Sequence, residues 1–230
     1  MRVFDDAEAL AAHAAQWLCA LARGASGAFA VALSGGSTPR RLYQLLAEQN
    51  MPWERIHWFW GDERWVPHDD PQSNYRMACE ALLARAPAPA ANVHPIPTEG
   101  ISPEQAAAAY EATLQRFYGA QTLASERPLF DVVLLGIGED GHTASLFPGQ
   151  PALDETRRWA VAVRGAKKET RITLTYPALQ SGRHAAFLAT GAEKRDAVRR
   201  ARAGDRALPA ARLRPAGELQ WFVDRAAAGA

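Results

Sequence analysis

Cysteine is nearly absent from this sequence: Cys19 and Cys79 are the only two in 230 residues. They form no C-x-x-C pair and have no zinc-type spacing, which excludes thiol-redox and zinc-ribbon classes. Both sit in alanine-rich helical stretches (QWLCALA, RMACEALL) and read as buried structural thiols. Long apolar runs are missing too. None approaches the roughly 20 residues needed to cross a bilayer. The first residues, MRVFDDAEAL, carry acids where a signal peptide carries its apolar segment, so the expected location is the cytoplasm. Charge of one sign is not in excess: 26 basic and 25 acidic residues leave a formal net charge of +1. No global field therefore favours nucleic acid or an acidic membrane. The basic run RRARAGDR (Arg199–Arg206) has no interleaved aromatics and reads as a solvated helix end. There is no internal repeat and no clear linker, so one domain over residues 1–230 is expected. No G-K-[ST] follows the glycine-rich turns and no G-x-S-x-G elbow exists, which sets aside P-loop and serine-hydrolase chemistry.

What is present is an alternation of short apolar runs with amphipathic stretches. Asp5 and Asp6 can cap a helix through AEALAAHAAQWLCALARG, ended by Gly24. AFAVAL (Ala28–Leu33), IHWFW (Ile56–Trp60) and FDVVLL (Phe130–Leu135) read as strands. The last is a continuous apolar run, suited to a sheet covered on both faces. WAVAV, RITLTY, HAAFLAT and LQWFV are further strands. Helices are expected from about Arg40 to Asn50, through YRMACEALLAR with Ser73 or Asn74 as its cap, from Pro103 to Gln121 and from Ala192 to Arg202. Such alternation implies an α/β fold with a largely parallel central sheet flanked by helices. Ligands in such folds bind beyond the carboxyl ends of the strands. Four polar clusters fall there: SGGSTPRR, GDER, GEDGH and GAEK.

In SGGSTPRR, Gly35 and Gly36 permit close approach of a ligand, and Ser37 and Thr38 offer hydroxyls. The following helix start presents free N–H groups to an anion, so this is a candidate phosphate site. GDER places Arg64 at a strand end. There it can pair with an anion, stabilise an oxyanion or join a surface salt-bridge cluster. Gly136, Gly138 and Gly141 match G-x-G-x-x-G, but Pro148 and Gly149 break the chain before any long helix. No ribose-binding acid stands at the next strand end either, so a dinucleotide site is rejected. The same loop instead carries Asp140 and His142 in a D-G-H turn. That pattern suits a general base with a carboxylate to orient it. The other five histidines lack such a setting. Arg171 and Lys194, taken on the residues alone, read as solvated charges.

Taken in order, LSGGSTPRRLY, GDERWVPHDDPQSNYRMA, DVVLLGIGEDGHTASLFPG, RITLTYPAL and GAEK resemble the 6-phosphogluconolactonase family. The likeness extends over nearly the whole chain, to WFVDRAAA. The family lies in a sugar-phosphate superfamily with glucosamine-6-phosphate deaminase and ribose-5-phosphate isomerase, which implies a Rossmann-like fold of that type. The resemblance implies hydrolysis of a phosphosugar lactone with no metal or organic cofactor. The substrate is then the expected partner, with no nucleic acid or membrane, and the sequence leaves monomer or weak dimer open. Carried over by motif, His142 is the base, Asp140 its support and Arg64 the site arginine. Gly35, Gly36, Ser37, Thr38, Arg171 and Lys194 match positions that hold the phosphate. One departure is Ala211 in LPAARL, where a serine is expected, removing either a site hydroxyl or a helix cap. Two rival functions are an aminosugar-phosphate deaminase-isomerase and a non-catalytic sugar-phosphate sensor. SLFPG after the histidine and GDER at the second strand end favour the lactonase over the first. The absence of a DNA-binding segment disfavours the second.

Overall fold

The computed structural model describes residues 1–230. In chain order the elements are β1 (Arg2–Phe4), α1 (Ala7–Gly24), β2 (Phe29–Leu33), α2 (Ser37–Ala47), β3 (Ile56–Trp60) and β4 (Asp62–Arg64). Next come α3 (Asn74–Ala78), β5 (Val93–His94), α4 (Pro103–Tyr118), β6 (Phe130–Leu135), β7 (Ala160–Val163) and β8 (Arg171–Leu174). The chain ends with α5 (Tyr176–Gln180), β9 (Gly182–Ala189), α6 (Arg195–Arg202), α7 (Pro209–Arg212), β10 (Glu218–Asp224) and α8 (Arg225–Ala228).

Seven strands form one parallel sheet in the order β1-β10-β9-β6-β2-β3-β5. The expected fold class is therefore the observed one. From β2 the chain builds outward to β3 and β5, then returns to lay β6 on the other side of β2. The order reverses there, and the ends of β2 and β6 open a crevice between their exit loops.

Helix α1 forms because its apolar residues recur on one face. Leu10, Ala11, Ala14, Ala15, Leu18, Cys19 and Ala22 are all buried, following the 3.6-residue period. Asp6 caps it, accepting from the Ala9 N–H at 2.8 Å. Each fully buried leucine of this face contributes about 1.5–3 kcal/mol. Trp17 of α1 packs edge-on against Phe222, while Phe117 of α4 meets Phe59 from the opposite sheet face. No helix is long and apolar enough to cross a membrane.

Several boundaries differ from expectation. Helix α2 starts at Ser37, not Arg40, because Gly36 takes a φ of +112° and turns the chain straight into it. Helix α4 stops at Tyr118, since Gly119 adopts the left-handed conformation at +76°. The stretch from Ala192 opens as a 3-10 turn before α6. WAVAV and RITLTY are strands but leave the main sheet. They pair antiparallel, and β4 adds to β8, giving a second sheet in the order β4-β8-β7. Strand β1 was not anticipated, because three residues carry no readable period. Cys19 is buried and Cys79 is half-buried, both as free thiols.

One edge of the main sheet is sensitive to acid. His57 and His94 sit on neighbouring strands with Nδ1 and Nε2 3.1 Å apart, against Phe59 and Phe117. Burial pushes both imidazoles down, and the neighbouring His57 pushes His94 further, to about 4. An unfolded histidine takes up its proton near pH 6.5, so between that pH and about 4 the unfolded chain binds protons that the folded chain refuses. Stability must fall across this window. The unfolding free energy of His94→Phe, read by urea denaturation at pH 7 and pH 5, should fall less steeply than that of the wild type. Equal slopes would show that the pair does not titrate in this way.

Candidate active site

The exit loops of β2, β3, β6 and β9 converge on a cavity of about 490 Å³. Each loop is held by bonds that satisfy a strand end. The Tyr43 hydroxyl donates to the Ser34 carbonyl at 2.8 Å and accepts from its N–H at 2.9 Å. Tyr110 does the same for Trp60, at 2.9 and 2.8 Å. Both tyrosines are fully buried, and burial pushes both phenols up. They remain hydrogen-bonding hydroxyls with no charge to solvate.

The loop after β2 runs directly into α2. No side chain caps that helix, and Ser37 and Thr38 line the cavity at its first turn. Thr38 Oγ1 lies 2.7 Å from Thr190 Oγ1, tying this turn to the end of β9. Gly35 must be glycine, since a Cβ there would collide with the Asn74 side chain.

Beyond β3, Glu63 is almost wholly buried and accepts four hydrogen bonds. Its donors are the N–H groups of Arg64, Asn74 and Tyr75, each at 2.7 Å, and Ser73 Oγ at 3.0 Å. Burial pushes this carboxyl up, and the donors pull it back only in part. Glu63 thus joins β4 to the start of α3. Asp62 beside it accepts from Ser145 Oγ at 2.5 Å, and Asn74 Nδ2 donates to the Asp62 carbonyl at 3.0 Å.

This corner fixes two cations. Arg64 and Arg171 are direct partners across the β4–β8 ladder. Arg64 Nη1 donates to the Gln72 carbonyl. Arg171 lies 3.6 Å from Glu169, and its side chain is only 13% exposed. It is therefore not the solvated charge that the residues alone suggested. The Nε atoms of both arginines are buried and make no hydrogen bond. Burial, then the neighbouring Arg64, push the Arg171 guanidinium down. Arg64 and Arg171 thus set two like charges side by side on the cavity wall, a candidate anion site. Lys194 reaches the same cavity from the turn after β9, so it too joins the site.

The loop after β6 presents the histidine to the same cavity. Nδ1 of His142 lies 2.5 Å from Asp140 Oδ1, which also accepts from the His142 backbone N–H at 3.1 Å. Burial pushes the Asp140 carboxyl up, but its bonds from His142 outweigh this, and it settles below the usual range. The carboxylate assigns the proton to Nδ1, while Nε2 has no hydrogen-bond partner in the protein. The ring lies against Phe147, with centroids 4.5 Å apart. A Cβ at Gly138 would overlap the imidazole, so the glycine makes room for the His142 ring. Asp140 stands behind the ring and does not line the cavity.

All the predicted residues therefore meet here: Gly35, Gly36, Ser37, Thr38, Arg64, His142, Arg171 and Lys194 on the wall, with Asp140 behind. Sequence reasoning missed Asp62, Asn74, Ser145 and Lys167. Lys167 Nζ stands 3.8 Å from Asp140 Oδ2 and 5.3 Å from the Phe147 ring centre. Its only signal was the charged stretch RGAKKE, and Asn74 looked like a helix cap. Ala211 is buried in α7 away from this wall, so a serine there would add no hydroxyl to it. Nor does it cap α7, which Leu208 precedes. A larger cavity, about 970 Å³, opens at the loops that precede β6, β7 and β9 and holds none of the predicted residues.

The family model described as glucosamine-6-phosphate isomerases/6-phosphogluconolactonase matches residues 5–221. The chain belongs to this family. A 6-phosphogluconolactonase from Synechocystis is 46% identical over 200 residues, covering 86% of this chain and 82% of the relative. One from Nostoc is 46% identical over 207 residues, covering 89% and 85%. The crystal structure of 6-phosphogluconolactonase from Thermotoga maritima superposes with a TM-score of 0.84 at 32% identity, covering 97% of this chain and 98% of that one. In this chain the β4–β8 register sets the arginine pair, and the Glu63 corner holds β4 to the start of α3.

Replacing Glu63 with Gln leaves one acceptor oxygen and turns an amide toward N–H donors. The Glu63→Gln variant should lose about 1–3 kcal/mol of unfolding free energy, measured by urea denaturation. Unchanged stability would mean that the four bonds do not hold this corner.

Proposed function

We propose that this chain, as one domain over residues 1–230, hydrolyses 6-phospho-D-glucono-1,5-lactone to 6-phospho-D-gluconate in the oxidative pentose phosphate pathway. The observation that carries the reading is His142, with Nδ1 held by Asp140 and Nε2 free, lining one cavity with the Arg64–Arg171 pair. The names of the 46%-identical relatives support the substrate. A cavity of about 490 Å³ suits a six-carbon phosphosugar.

In this mechanism the phosphate rests on the first turn of α2, Arg171 and Lys194, with Arg64 beside them. His142 Nε2 takes a proton from water as the water oxygen bonds to the lactone carbonyl carbon. The tetrahedral intermediate then collapses. The bond from that carbon to the ring oxygen breaks, and the imidazolium returns its proton to the leaving oxygen. Asp140 stays ionised throughout and supports the imidazolium. No covalent intermediate is needed, because the lactone is already reactive and needs positioning and one base. Neither rival has a specific observation in its favour.

The lactone is generated in situ from glucose 6-phosphate and its disappearance followed at mildly acidic pH. The wild type should accelerate hydrolysis, and His142→Ala should lose about 10²–10⁴-fold while remaining folded. Asp140→Asn should fall between the two. No acceleration by folded wild type, or ammonia release from glucosamine 6-phosphate, would overturn the lactonase reading.

A further inference from the structure

Attack on the lactone places a full negative charge on the carbonyl oxygen, and the side chains above leave that charge without a fixed donor. Arg64 and Arg171 form one wall together and suit the phosphate. Lys167 is 45% exposed and pairs with Asp140. The loop just after His142 holds a rigid alternative.

Residues Thr143–Leu146 form a tight turn closed by the Leu146 N–H on the Thr143 carbonyl at 2.9 Å. Ala144, within it, has a φ of +47° and is the only non-glycine residue of the chain with a positive φ. Alanine avoids that region, so the surroundings must hold it there. They do so from both sides. Thr143 Oγ1 donates to the Gly136 carbonyl at 2.9 Å. The Ser145 N–H donates to Thr173 Oγ1 at 3.1 Å, and Ser145 Oγ to Asp62. Thr143 and Ser145 are both buried. Ala144 itself lines the cavity, and its N–H makes no hydrogen bond within the protein. Only Thr143 separates it from His142 in the chain, so the two Cα atoms lie within about 7 Å.

We infer that the Ala144 backbone N–H is the oxyanion donor of the site, aimed by the strained turn and anchored through Ser145 to Asp62 and Thr173. The inference rests on the lactonase reading. The N–H donates to the carbonyl oxygen as the water oxygen bonds to carbon. The charge leaves that oxygen when the ring C–O bond breaks and the His142 proton moves to the ring oxygen. A pre-aimed amide needs no rearrangement during the reaction, which is the source of its advantage. This gives the buried Asp62–Ser145–Thr173 bonds a positioning role.

Two measurements test it. In ¹H–¹⁵N spectra of the wild type, saturation with 6-phosphogluconate should move the Ala144 amide proton downfield as a product carboxylate oxygen takes the oxyanion position. The amides of Gly36, Ser37 and Thr38 should move as well, on the phosphate. If those three move and Ala144 does not, the donor role is wrong and the site reading stands. If none moves, the lactonase reading itself fails. Second, replacing the amide at Ala144 by an ester (lactate incorporated at that position) removes only the N–H. It should lower kcat by about 10²-fold with KM within about twofold. Wild-type kcat in the ester variant would overturn the inference, while an inactive wild type would overturn the reading beneath it.

Discussion

A strand that ends inside a protein leaves N–H and C=O groups with no ladder partner, and this chain places its active site where four strands end. Unpaired buried backbone groups are costly, so each exit needs its own partner. Tyr43 closes the end of β2, Tyr110 the end of β3, and Glu63 the step from β4 to α3. The loops that carry the chemistry are rigid because their strand ends are satisfied by buried side chains. The candidate site is the crevice left between those satisfied ends.

The second sheet extends the same logic. β3 continues past Gly61 into β4, which pairs with β8 and not with a neighbour in the main sheet. The pairing carries Arg171 to Arg64 and brings Thr173 within reach of Ser145. One small antiparallel ladder therefore sets the cationic wall and anchors the turn after His142. The like charges of the two arginines resist each other, and an anion held between them would relieve that repulsion.

One cavity gathers two kinds of group. Arg64, Arg171, Lys194 and the open start of α2 suit a dianionic group. The same cavity has a histidine backed by a carboxylate, and a turn whose free donor is a backbone amide. A phosphosugar lactone has matching ends: one strongly anionic, one neutral until water attacks. Binding energy spent on the phosphate then positions the reacting carbon beside the base.

Much of this was legible in the sequence. FDVVLL and AFAVAL announced buried parallel strands because both of their faces are covered. Asp6 caps its helix through a contact three residues away. The D-G-H turn was readable because its chemistry is local: Asp140 and His142 meet through neighbouring backbone. The tertiary structure alone decided the rest. Arg171 read as a surface charge, and only the β4–β8 register buries it beside Arg64. Asn74 read as a cap, and only the corner around Glu63 sets it against Gly35. Nothing in THR-ALA-SER foretold the positive φ of Ala144, since that strain is imposed by Asp62 and Thr173 from other strands. A sequence window records period, caps and turn chemistry. It does not record which distant strand will lie alongside, and here that pairing places the charges.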